Sequence, residues 1–248
     1  MSDEVRRALK IIARAREMHQ SHPPLIEAML EEASSDSPPP FEATLISNPS
    51  APTAVYVGSV SDAMYSGALK ERQIGGIINV ANSQLLQIQR LEKAMASQDP
   101  DGVESQWEIV QFDKGWYEKE AGNRHFQYLA IDAEDHPKYD MSPHFEECSD
   151  FIKNNCAQTA SVLIHCVQGR NRSASIAVAY LVMVEGMTVF QAIEKVAESR
   201  RNVLSNRAFV RQLVEQFSPS PKELRPRPPT PPRIFSIGEV VERPSIPS

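Results

Sequence analysis

Short apolar runs alternate along the chain with longer stretches in which apolar residues recur every three or four positions. Val55-Tyr56-Val57-Gly58-Ser59 reads as a short strand ending at a glycine, Ile77-Ile78-Asn79-Val80-Ala81-Asn82 as a second, and Phe126-Gln127-Tyr128-Leu129-Ala130-Ile131 as a third. Val162 to Ile164 is a fourth, short and β-branched enough to be buried. Between them, helical spacing predicts a helix capped by Ser61 and running to about Lys70, another over 84–96, and one from Met141 to about Asn155. In the last of these Ser142 is the expected cap and Pro143 stands at the first position. Trp107 to Phe112 is read as a further strand in the interval 83–125, where Trp107, Trp116 and Tyr117 could rim a pocket or pack in the core. After the fourth strand come helices over 173–185, closed by Gly186, then 189–199 and 206–217, with Thr188 and Asn206 as caps.

The two ends differ from this frame. Residues 3–20 are charged and helix-favouring, with Val5, Leu9 and Ile12 at helical spacing, and a second short helix is expected from Pro24 to Ala33. Ser34 to Pro40 reads as a linker. Residues 218–248 hold nine of the nineteen prolines and little apolar material, the composition of a disordered tail with polyproline character. Three parts follow: a helical N-terminal arm with its linker over 1–40, a packed domain over 41–217, and the tail over 218–248. Pro226 to Arg233 has the spacing of an SH3 or WW ligand. Arg6-Arg7-Ala8-Leu9-Lys10-Ile11 loosely resembles a basic-then-aliphatic docking peptide for mitogen-activated kinases, set against an ordinary amphipathic helix.

Composition narrows the class. A hydrophobic content of 41% supports a real core, and a net charge of −6 argues against non-specific nucleic-acid binding. Three cysteines without regular spacing form neither a disulfide framework nor a metal site, and no cofactor is expected. They point instead to a reducing compartment. The N-terminus lacks an apolar signal segment and no run reaches the length of a membrane span, so the expectation is a soluble protein of the cytoplasm, with the nucleus open.

The chemistry sits between the fourth strand and the following helix. Ser161-Val162-Leu163-Ile164-His165-Cys166-Val167-Gln168-Gly169-Arg170-Asn171-Arg172-Ser173 runs from a strand through a loop with one glycine into a helix. Backbone N–H groups at such a helix start form a ready anion site. A cysteine at its mouth should be a thiolate near neutrality, and an arginine six residues on offers a planar fork for phosphate oxygens. This segment resembles the His-Cys-x-x-Gly-x-x-Arg-Ser signature of the protein tyrosine phosphatase superfamily, in its dual-specificity branch. The resemblance implies an α/β fold with a central, mostly parallel sheet of four to five strands and helices on both faces. It implies Cys166 as nucleophile through a cysteinyl-phosphate, Arg172 and the N–H groups from Val167 through Gln168, Gly169, Arg170 and Asn171 as the phosphate cradle, and Ser173 as a donor to the Cys166 sulfur. His165 is expected to face away from substrate, fixing the loop and lowering the Cys166 pKa.

The first step expels an alkoxide or phenoxide and needs a general acid. Asp132, Glu134, Asp135 and Asp140 are candidates in the loop after the third strand. The family's "tyr-x-x-ile-x-ala-x-asp" context is matched by Tyr128, Ile131, Ala133 and Asp135, and Asp135 lies 31 residues before Cys166 (166 − 135), which makes it the first choice and Asp132 the second. Arg170 resembles the basic residue of relatives that hydrolyse phosphoinositide head groups. Gly-x-Asn-Arg also occurs in related RNA 5′-triphosphatases, which continue differently from Ser173-Ala174. The expected substrate is a phosphoprotein, a kinase among the candidates, bearing phosphotyrosine and phosphoserine or phosphothreonine. A phosphoinositide phosphatase and a phospho-residue binding scaffold are the alternatives. Cys148 or Cys156 could pair with Cys166 on oxidation, or be buried helix cysteines.

Overall fold

The computed structural model describes residues 1–21, 41–47, 53–88, 113–122, 125–158 and 160–218. The expected elements at Pro24–Ala33 and Trp107–Phe112, the second half of 84–96 and the proline-rich tail lie outside these residues. Five strands, β1 (Thr44–Leu45), β2 (Val55–Gly58), β3 (Ile74–Asn79), β4 (Gln127–Ala130) and β5 (Ser161–His165), form one sheet in the order β1-β2-β5-β3-β4. Only β1 runs antiparallel; β2, β5, β3 and β4 are mutually parallel. The strand that leads to Cys166 is therefore central, flanked by β2 and β3.

Alternation along the strands fills a layer on each face. Val55, Val57, Ile78, Val162 and Ile164 point into the larger layer, made with α1 (Asp3–Ser21), α5 (Pro143–Ala157), α6 (Arg172–Met183), α7 (Val189–Ser199) and α8 (Arg207–Phe217). Ile74, Ile77 and Leu163 point the other way. There they meet Ala63 of α2 (Val60–Met64), Leu69 of α3 (Ser66–Glu71), and Tyr117 of α4 (Lys114–Ala121). Each fully buried aliphatic side chain contributes about 1.5–3 kcal/mol, which is why a parallel sheet is apolar on both sides.

Several expectations change in detail. Ser59, not Ser61, caps the first helix after β2: its hydroxyl accepts from Asp62 N–H while the Asp62 carboxylate accepts from Ser59 N–H. The helix expected to reach Lys70 is two helices, broken at Tyr65 (φ −82°, ψ 82°). β3 begins at Ile74 and stops at Asn79, because Val80 N–H turns to the His165 carbonyl and Ala81 N–H to the Asn79 side chain. Ser142 stands at the N-cap of α5 but makes no capping bond; its N–H and hydroxyl both go to Asp140. Helix α4 was not foreseen. Asp113 caps it at Trp116 N–H (2.8 Å), and its Tyr117 is wholly buried, stacked on Phe126 at 5.2 Å. Tyr117 is thus core, not pocket rim.

The N-terminal helix is part of the same packed unit as the sheet, with Val5, Ala8, Ile12 and Ala15 in the larger core. Leu9 and Ile11 pack against that core as well. The aliphatic half of the proposed kinase-docking peptide is therefore already occupied within the chain. No described helix is long and apolar enough to cross a membrane.

Candidate active site

β5 delivers Cys166 to the carboxyl end of the central strand, and α6 starts at Arg172, so residues 166–171 form a loop over a helix N-terminus. Cys166 is 2% exposed and its Sγ lies 3.4 Å from Ser173 Oγ. Burial alone would raise this thiol. Hydrogen bonds from the Ser173 side chain and N–H, the Arg172 charge and the Arg170 N–H outweigh it and hold the pKa below its usual value. Outside the loop, Val60 N–H donates to Val167 O (3.2 Å) and Leu204 N–H to Arg170 O (2.9 Å). Leu204 does so from a left-handed backbone (φ 54°), an uncommon state for a bulky residue that costs on the order of 1–3 kcal/mol. Gly169 has φ 68° and lies against Gly58; a Cβ there would sit 2.6 Å from Gly58 O, so no other residue fits.

Arg172 is 3% exposed. One terminal nitrogen donates to Ala133 O at 3.0 Å, and its buried Nε has no hydrogen-bond partner among the described residues. Asp135 accepts from Asn171 Nδ2 (3.2 Å to Oδ1, 3.0 Å to Oδ2) and from Asn206 Nδ2 (3.1 Å). Asp132 is differently employed: Asn82 Nδ2 and Ser83 N–H donate to it at 3.1 and 3.0 Å. Bonds from Ser83 and Asn82 hold its carboxyl below the usual range. Asp140 is likewise lowered by Ser142. Two of the four acidic candidates are thus tied down as ionised anchors, while Asp135 alone is bonded to the phosphate loop.

The family described as "Dual specificity phosphatase, catalytic domain" matches residues 55–218. The chain belongs to that family. Dual specificity protein phosphatase 26 of Homo sapiens and of Bos taurus is 40% identical over 89 residues, 36% of this chain and 42% of theirs. The match thus spans less than half the length of those relatives. Among solved structures, human DUSP28 superimposes with a TM-score of 0.51 at 20% identity, covering 73% of this chain and 96% of its own. A mouse putative dual specificity phosphatase complexed with zinc tungstate gives 0.53 at 18%, covering 74% and 91%. These two share the fold.

Within this dual specificity phosphatase domain the residues singled out from sequence converge, with two changes. His165 is fully buried, and burial drives its pKa down to about 4 against an opposing backbone hydrogen bond from Cys166. A neutral imidazole brings no charge to lower the Cys166 pKa; Ser173, Arg172 and the Arg170 N–H do that instead. Asn171, expected to contact substrate, turns its side chain outward: Oδ1 accepts from Ser205 N–H, Ser205 Oγ and Asn206 N–H at 2.8, 3.0 and 3.0 Å. Its backbone stays in the loop. Arg170 is exposed and belongs to no ion pair among the described residues, and Gln168 is exposed beside it. Cys148 is inside the larger core, with its thiol pushed up to about 12, in a different cluster from Cys166; all three cysteines are free. Two residues escaped the sequence reading. Asn206 was read only as the cap of α8, a role it also fills through Ala208 N–H. Arg200 donates through Nε to Gly169 O at 3.0 Å, and nothing in the pattern around Arg200-Arg201 marks the first of the pair.

Proposed function

We propose that this protein hydrolyses phosphotyrosine and phosphoserine or phosphothreonine in protein substrates through a cysteinyl-phosphate on Cys166. The observation that carries the reading is the unpartnered, buried Nε of Arg172 beside a buried thiol of lowered pKa. A buried guanidinium donor left open is costly unless an anion completes it. In the first step the Cys166 thiolate attacks phosphorus, the P–O bond breaks, and Asp135 gives its proton to the departing oxygen. Arg172 and the loop N–H groups hold the equatorial oxygens. Water then attacks the phosphorus, Asp135 takes its proton, the P–S bond breaks, and Ser173 stabilises the released thiolate. Inorganic phosphate leaves.

Turnover by the full chain of a phosphotyrosine peptide, a phosphothreonine peptide, a phosphoinositide and an RNA 5′-triphosphate tests this, with Cys166→Ser alongside. Turnover of both peptides, abolished in Cys166→Ser, is expected; activity near wild type in that variant sinks the mechanism.

Arg170, exposed and in no ion pair among the described residues, supports a second reading, a phosphoinositide head group carrying more than one phosphate. Under it, Arg170→Ala lowers turnover of the phosphoinositide far more than of the peptides, and equal effects dismiss it. A scaffold that only binds phosphorylated residues is disfavoured because the thiol, the arginine and an acid are all in place. Pro226 to Arg233 is proposed as an SH3 or WW ligand, a kinase as one candidate substrate, and the cytoplasm or nucleus as the site of action, since the thiolate needs reducing conditions.

A further inference from the structure

The phosphate loop is shaped from behind. In a planar trans peptide the C=O and N–H point in opposite directions, so a carbonyl held outward aims the next N–H inward. Three loop carbonyls are held that way: Val167 by Val60 N–H, Gly169 by Arg200 Nε and Arg170 by Leu204 N–H. Two of these donors are backbone. The third is a side chain from the end of α7, and the peptide it holds carries the Arg170 N–H directed at the Cys166 sulfur.

Arg200 is braced at both ends. Its NH1 donates to Glu42 O at 2.8 Å, and Glu42 N–H donates to the buried Asp62 at 2.7 Å, which also anchors the turn after β2. It lies so close over the loop that a Cβ on Gly169 would come within 2.6 Å of its NH2. We infer that Arg200 is a positioning residue: by pinning the Gly169 carbonyl outward it keeps the Arg170 N–H aimed at the Cys166 sulfur and at the oxygens of the phosphate whose phosphorus that sulfur attacks. This rests on Cys166 being the nucleophile. The charged and titratable groups around that thiol are Arg172 on α6, His165 on β5 and, beyond the imidazole, Asp62 on α2, and substitutions at Arg200 leave all three in place.

The test uses the full chain as wild type, Cys166→Ser, Arg200→Met and Arg200→Gln. Glutamine Nε2 stands as many bonds from the backbone as arginine Nε, so it keeps the donor to Gly169 and loses the charge and the reach to Glu42. Three quantities are read: the pH midpoint of Cys166 alkylation by iodoacetamide, followed by mass spectrometry; inhibition by inorganic phosphate; and turnover of an aryl phosphate. Loss of one hydrogen bond of ordinary worth predicts, for Arg200→Met, a midpoint about 0.7 pH unit higher and phosphate inhibition about fivefold weaker. Arg200→Gln should stay within about twofold of wild type. Should Arg200→Met lack a cooperative thermal transition, Arg200→Lys replaces it, keeping charge but lacking a donor at the Nε position, and is expected to shift both readouts in the same direction. A methionine or lysine variant that overlays wild type overturns the inference, as do methionine and glutamine variants that shift alike. Turnover surviving in Cys166→Ser overturns the cysteine mechanism instead, an outcome distinct from either.

Discussion

Asn171, on the phosphate loop, donates to both carboxylate oxygens of Asp135, at 3.2 and 3.0 Å. Its other face accepts from Ser205 and Asn206, and Asn206 returns a donor to the same carboxylate. One side chain therefore ties together the loop that would hold phosphate, the loop that carries Asp135, and the segment before α8. Asn171 and Asn206 both reach Oδ1, while Oδ2 accepts from Asn171.

If Asp135 is the acid, Asp135→Asn lowers kcat about 10²–10⁴-fold on an alkyl or phenyl phosphate and much less on an aryl phosphate with a good leaving group. Asp132→Asn, which removes an ionised anchor, should change neither ratio by more than about threefold. Paired assays on the two substrates check this; the pattern appearing in the Asp132 variant instead would move the acid.

Asn171→Ala frees Asp135 without removing it. The expected result is a fall in kcat of about an order of magnitude on the poor leaving group, with KM little changed, because the side chain faces the acid loop rather than the cradle. Steady-state kinetics decide the matter, and a rise in KM with kcat intact would place the side chain on substrate.

His165 gives a stability signature. Its folded pKa, about 4, lies below the ordinary 6.5, so between those values the unfolded chain takes up a proton that the folded chain refuses. Stability should therefore fall as pH drops from about 6.5 towards 4, by about 2–3 kcal/mol at pH 4.5. Asp132 and Asp140, lowered from 3.8, contribute stability that is lost at lower pH still, which leaves this window to the histidine. Urea denaturation at pH 7.5 and 4.5 measures the difference, and His165→Asn should remove most of it.

Ile12 of α1 is buried in the larger core beside α7 and α8. Ile12→Ala should cost about 2–5 kcal/mol in denaturant titrations, against under about 0.5 kcal/mol for a detached arm. Arg16 of the same helix donates to Val203 O at 3.1 Å, next to the strained Leu204 that holds Arg170, so aryl phosphatase activity should fall along with stability.

The sequence by itself determined the frame and singled out Cys166 and Arg172 as the candidate reacting pair. Strand, cysteine, glycine, arginine and serine are spaced within one continuous segment, and β2, β3 and β5 are short apolar runs, buried on both faces, that need no tertiary context to be read as strands. For the candidate acid, four carboxyls in one short loop are equivalent by composition; the family context ranks Asp135 first, and only the fold shows Asp132 bonded back to 82–83 and Asp135 forward to Asn171. Helix α4 was missed because its weak apolar pattern is fixed by a cap and a stack on Phe126. The two asparagines and Arg200 belong to the same class. Their partners are a carboxylate, backbone carbonyls and backbone N–H groups brought close by chain crossings as far as 31 residues apart for Arg200 and Gly169 and 71 for Asn206 and Asp135. A hydrogen bond of that kind leaves no periodicity in the chain. What the sequence could name was the thiolate and the arginine; which way each loop peptide turns to meet the phosphate was decided by the packing behind it.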